Sequence, residues 1–224
     1  MDIKEYRKTE IPMLLLGCTL ILFFISGDIK SILENWYDFL SSAFLGSIVS
    51  IFVFIGDGLI SSKQKDDIIY LWGLIPQPGE TVFDKVINEG YDKRYTAEDV
   101  RKRYGSDLAL LDHIDDTKAK RQKENSIWYS ASNRVRDITK VLVSHRDYLM
   151  SRDMFFAVFE YLILYIIFCL FVKYSISKRF VFLMLILLAA IRLGVKNKAE
   201  AFVDNVIAVD ISEWKNTNEK KKVD

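Results

Sequence analysis

Three ionisable residues stand inside apolar runs of the chain: Asp57 in Phe39–Ser61, Glu160 in Met154–Val172 and Arg192 in Phe180–Val195. Charge is costly in hydrocarbon, so such residues face a bundle interior, water or one another. Asp57 lies four residues from the end of its run, Glu160 about two helical turns in from Met154, and Arg192 about one turn in from Lys196. The three therefore share one leaflet, and a bridge from Arg192 to Glu160 or Asp57 is expected. Such a layer can fix packing as an interhelical ion pair, or leave Arg192 to snorkel toward the headgroups. Its functional form is a polar constriction, or a charge latch that changes when the bundle opens. The packing form is favoured.

The other reactive side chains point to less. His113 sits in Asp112-His113-Ile114-Asp115-Asp116, which lacks the ligand spacing of a metal site and reads as a solvated acidic turn. His145 falls on an apolar helix seam and reads as a buried core histidine, with a pH-sensitive group as the lesser alternative. The basic runs Arg101-Lys102-Arg103 and Lys118–Lys123 are offset by Glu98, Asp99 and Glu124 and read as solvated helix faces, with an anionic ligand or headgroup surface as the alternative. The chain carries no Gly-rich phosphate loop, no paired-cysteine motif, no Ser/His/Asp order and no RNA-binding aromatic signature. No catalytic site and no cofactor are expected. The formal net charge of +1 gives no global case for nucleic acid, and no direct nucleic-acid binding is expected.

What must position these groups is a set of helices. Of the 224 residues, 50% are hydrophobic, and they are concentrated in blocks, a membrane pattern rather than a globular one. The spacing predicts an all-α membrane protein with four transmembrane helices. Residues 1–61 form a basic leader and a first hairpin, with spans at 11–26 and 39–61. Residues 62–153 form a helical cytoplasmic insert. Residues 154–195 form a second hairpin, with spans at 154–172 and 180–195, and residues 196–224 form a cytoplasmic amphipathic helix and charged tail. Trp36 and Tyr37 occupy an interface position, and the small residues Ser41, Ser42, Ala43, Gly46, Ser47 and Ser50 mark a face for helix contact. Cys18 and Cys169 read as two buried thiols, not a disulfide.

Within the insert, Ile68–Leu74 is an apolar patch with Tyr70 and Trp72, and Pro76-Gln77-Pro78-Gly79 is a turn that ends any helix leaving the second span. Thr96–Asp99 is a capping-box start to a helix expected to close at Gly105. Trp128, Ala131, Val135, Ile138, Leu142, His145 and Leu149 recur at alternating steps of three and four, the spacing of a helix seam. Lys118–Val172 contains neither proline nor glycine, so one helix of roughly 80 Å is expected, with Ser151–Asp153 as its bend at the water–membrane junction. The seam and the small-residue face ask for another copy of the chain. The seam alone can instead be filled by the tail helix and the Leu108–Ile114 patch. Ala199, Phe202, Val203, Val206 and Ile207 make that tail helix amphipathic, and packing on the insert is favoured over lying on lipid.

An even number of spans puts both termini and the insert on one side. The basic leader, insert and Lys196/Lys198 flank place that side in the cytoplasm; Lys173, Lys178 and Arg179 argue the other way. The layout resembles the small four-span membrane subunits of bacterial phage-defence systems, such as the KwaA subunit of Kiwa and the membrane proteins encoded beside some CRISPR effectors. That resemblance covers topology and carries over no site residues. It implies a homo-oligomer in the bacterial inner membrane that works with a cytoplasmic protein partner. The expected function is a membrane sensor or scaffold that couples the bundle to that partner through the long helix. The alternative is a pore-forming effector that depolarises the membrane when its insert is triggered.

Overall fold

The computed structural model describes residues 5–26, 51–53, 55–56, 58–89, 92–173 and 175–223. Among them the regular structure is entirely helical, in agreement with the all-α expectation. Helix α1 is Tyr6–Ser26, α2 Ser62–Ile69, α3 Val82–Glu89, α4 Ala97–Ala109, α5 Thr117–Val135, α6 Thr139–Val172 and α7 Lys178–Val223. The chain divides into two compact units. One is Met1–Ile69 with Leu149–Lys196, and the other is Tyr70–Tyr148 with Asn197–Asp224. Helices α6 and α7 each contribute residues to both without a break.

Four spans are not supported. The described helices long and apolar enough to cross a membrane are α6 and α7, and most of the expected second span, with its small-residue face and the Trp36/Tyr37 loop, lies outside the described residues. The first unit buries Leu15, Cys18, Phe156, Tyr161, Cys169, Phe180 and Met184. Both cysteines are unbonded thiols. It also turns large apolar side chains outward on α1, α6 and α7, up to Phe171 at 88% exposed, with Met13, Phe168, Phe182 and Leu185 also exposed. A soluble core helix would bury such residues; a lipid-facing one need not.

The second unit has one contiguous core in which Phe83, Val100, Tyr104, Trp128, Ala131, Val135, Val141, Phe202, Val206 and Ile207 meet. Its local signals follow sequence chemistry. Thr96 accepts from the Asp99 N–H at 3.2 Å while Asp99 accepts from the Thr96 N–H at 3.0 Å, the expected capping box. Ahead of α2, Ser61 and Gln64 make the same reciprocal pair, at 2.8 and 3.3 Å, so α2 starts with its own cap. Asp116 caps α5 by accepting from the Lys118 N–H, which accounts for part of the acidic turn.

Several expected boundaries move. The single helix over 118–172 is interrupted at residues 136–138, and 151–153 is regular helix. Asp137, Ile138 and Thr139 are weak helix formers, so a helix can end without proline or glycine when packing favours it. The interruption shifts the register: Val141 becomes fully buried, while Leu142 is only half-buried. Helix α4 runs through Gly105 to Ala109, because Leu108 continues its buried face. Helix α2 is separate from the second apolar run: it starts at Ser62 and ends at Ile69, before the proline turn. The tail helix is not separate from the fourth apolar run: Lys196-Asn197-Lys198 contains no breaker, and α7 passes through it.

Gly79 fills the narrowest place in this second core. A Cβ there would lie 2.6 Å from Asn125 Oδ1 and 3.1 Å from the Trp128 ring. Gly79→Ala is expected to destabilise the chain by about 1–3 kcal/mol through overpacking. The check is a denaturant midpoint of the full chain in detergent, followed by Trp128 fluorescence; an unchanged midpoint contradicts the tight contact.

Candidate functional site

The charged layer forms differently from its expected pattern. Arg192 does not bridge Glu160. Its Nε and Nη2 donate to the Ile69 carbonyl at 3.0 and 2.9 Å. Ile69 is the last residue of α2, where carbonyls lack helical partners and the helix dipole is negative, so a guanidinium satisfies both. Glu160 is buried against the backbone of Gly56: a Cβ there would stand 2.9 Å from Glu160 Oε2. Asp57 lies outside the described residues.

Charge gathers instead at the start of the apolar part of α6. Asp153, 1% exposed, accepts from Tyr6 Oη at 2.8 Å, from Arg7 Nε at 2.9 Å and from Lys65 Nζ at 3.3 Å. Arg152 Nη1 donates to Asp66 at 3.1 Å, and Lys65 also lies over the Phe156 ring. Helices α1, α2 and α6 are thereby joined by one polar cluster. The sequence marked Ser151–Asp153 as a junction but gave no partner for it. The missed signal is Lys65-Asp66, a charged pair close after an apolar run.

The second unit holds a parallel cluster. Asp210 on α7 accepts from Arg103 Nε at 3.0 Å and Tyr104 Oη at 2.6 Å on α4, and from Arg134 at 2.8 and 2.9 Å on α5. Burial alone would raise its pKa, but hydrogen bonds from Arg134, Arg103 and Tyr104 outweigh burial and hold it down at about 2. Arg103 is therefore a partly buried partner and not part of a solvated face. The signal was present: Asp210 continues the stripe of Val203, Val206 and Ile207 at steps of seven, four and three.

Glu124, expected to offset a basic run, is 1% exposed and accepts from the Phe83 and Asp84 N–H groups at 2.7 and 3.2 Å, closing the start of α3. Burial, with the Asp84 carboxylate adding to it, pushes its pKa up to about 7 against the two backbone N–H groups and Lys120.

The seam residues divide. Trp128, Ala131 and Val135 are buried, Ile138 packs against the same core, and Leu142, His145 and Leu149 are half-buried. Trp128 meets Phe202 edge-on at 5.5 Å, and His145 stacks on Phe202 at 4.8 Å. Leu108, Leu111, Val203 and Val206 complete this core, so the seam is filled within the chain. His113 is exposed on a short turn. Among the described residues no three His, Cys, Asp or Glu side chains converge as a metal-holding group. An open cleft of about 570 Å³ lies between Thr139, Lys140, Ser144 and Asp147 on α6 and Lys198 and Asn205 on α7, with Lys198 paired to Asp147 at 3.1 Å.

Comparison with protein-family models, curated proteins and solved structures yields no match.

Two outcomes follow from these geometries. Asp210 contributes stability above its ordinary value of 3.8 that is lost as pH falls toward 2, because protonation removes the acceptor from both guanidiniums. Glu124 acts in the opposite sense: its folded form holds the proton more tightly, so its contribution is largest below 4.5 and declines as pH rises to about 7. Glu124→Gln should flatten the stability profile between those two values, and Asp210→Asn should lower the unfolding free energy by about 3 kcal/mol, the low end for a buried pair because the Arg134 side chain is 42% exposed. Urea titrations from pH 3 to 8 check both. For the layer, Arg192→Leu and Glu160→Gln should add within about 0.5 kcal/mol in a double-mutant cycle; strong coupling would restore the bridge.

Proposed function

We propose that the chain is a multipass inner-membrane sensor or scaffold subunit of a bacterial defence or stress-response system. In this reading the second unit, with its own core, lies in the cytoplasm and engages a protein partner, and the first unit, with its outward apolar side chains, reports on the bilayer. The observation that carries the reading is that α6 and α7 run unbroken from residues of one unit into residues of the other. Displacement of either helix in the bilayer thus acts directly on residues that build the second core, including Val141, Phe202 and Asp210. The outward apolar side chains of α1, α6 and α7 support lipid contact. The basic flanks support cytoplasmic termini. Homo-oligomerisation rests on the apolar unit alone, since the seam is occupied within the chain. The proposal involves no catalytic step and no cofactor.

The reading is tested by topology and by membrane potential. Reporter fusions after Asp115, an exposed loop position, and after Asp224 are expected to give cytoplasmic signal. Periplasmic activity at either overturns the orientation. Overexpression of the full chain is expected to leave dye-reported membrane potential intact. Depolarisation that follows expression assigns the chain as a pore-forming effector instead.

A further inference from the structure

The turn after α2 has an unusual backbone for its sequence. Leu71, Trp72 and Gly73 all have positive φ, at 51°, 53° and 83°. Left-handed backbone is disfavoured for leucine and tryptophan, and it persists where surrounding contacts impose it. Here the N–H groups of Gly73 and Ile75 donate to the Tyr70 carbonyl at 3.2 and 3.1 Å, and the Leu74 N–H donates to the Leu71 carbonyl at 3.1 Å. The turn is thus built and closed. Tyr70, at its base, is buried. Trp72 and Leu74 point outward, 75% and 82% exposed. Strain that served core packing would bury these side chains; this turn presents them.

The turn's place along the chain indicates what covers them. Ile69 is tied by Arg192 to the last turn of α7's apolar run. One turn earlier on α2, Lys65 and Asp66 join Asp153 and Arg152 where α6's apolar run begins. These contacts place Ile69 at the level where both apolar runs meet the polar zone. Trp72 is three residues on, and three residues reach at most about 11 Å. The turn folds back on the Tyr70 carbonyl and so spans less than that reach, which leaves Trp72 close to the headgroup zone, roughly 5–8 Å on each face of a bilayer. Tryptophan prefers that zone because its ring is amphipathic. A four-residue turn is also far smaller than the surface a stable protein interface buries.

We propose that Leu71–Leu74 is an interfacial anchor, with Trp72 and Leu74 inserted into the headgroup layer of the bilayer that α6 and α7 enter. The inference rests on the membrane reading of those two helices.

The test uses the full chain in lipid nanodiscs, with Cys18→Ala and Cys169→Ala, and an environment-sensitive label on Trp72→Cys, Leu74→Cys or Leu185→Cys in separate preparations. Shallow and deep spin-labelled lipids and aqueous iodide serve as quenchers. The shallow lipid is expected to quench positions 72 and 74 at least about twofold more than iodide does, as for an interfacial side chain, and the deep lipid is expected to quench position 185. If 185 is quenched by lipid but 72 and 74 are quenched only by iodide, the anchor is overturned and the membrane reading stands. If 72 and 74 are shielded from lipid and iodide alike, a protein surface covers the turn and the anchor is again overturned. If 185 is not reached by any lipid quencher, the membrane reading falls and the anchor with it.

Discussion

The structure depends on two buried aspartates that each collect a tyrosine hydroxyl and two cations from other helices. Asp153 takes Tyr6, Arg7 and Lys65, and Asp210 takes Tyr104, Arg103 and Arg134. An isolated buried carboxylate would shed its charge or unfold its surroundings. With several donors its oxygens are saturated, and the carboxylate becomes a joint that only one arrangement of helices completes. Such clusters add less net stability than apolar packing of the same volume, but they penalise any arrangement that leaves one member behind. Three helices meet at each: α1, α2 and α6 at Asp153, and α4, α5 and α7 at Asp210.

Apolar contact alone would not specify these arrangements. The first unit is lined by Phe, Leu and Ile side chains that pack acceptably in many rotations. The Asp153 cluster fixes rotation and axial register together, because Tyr6, Arg7 and Lys65 all meet one carboxylate. In the second unit, Glu124 has a similar role at smaller scale: a carboxylate buried for the sake of two backbone N–H groups at the start of α3.

Much of the helical content was legible because it is written in period and composition. The Thr96–Asp99 cap, the tail stripe from Ala199 to Ile207 and the buried pair Trp128/Val135 follow from spacing alone. The failures share a cause. The interruption at 136–138 and the helical Gly105 are decided by what each segment packs against, and single-residue propensities of under about 1 kcal/mol do not outweigh that. The expected bridge from Arg192 to Glu160 failed in the same way. Position along an apolar run does not give rotation about the helix axis, and rotation selects the partner. Glu124 and Arg103 were read as neutralising charges because a sequence shows neighbours in order, not which face each side chain takes.

The choice Arg192 makes shows the underlying rule. A carboxylate partner would bring a second charge into the apolar layer, with its own desolvation cost. The Ile69 carbonyl is already there, unsatisfied at a helix end, and carries partial negative charge from the dipole. One guanidinium with two N–H donors on a single carbonyl satisfies the arginine in part and gives the last carbonyl of α2 its donors. It also couples α7 to the residue from which the Tyr70–Ile75 turn departs. A rotation of α7 that withdraws Arg192 would leave that carbonyl without its donor. The cationic side chain is therefore better understood as a clasp on α2 than as half of an ion pair.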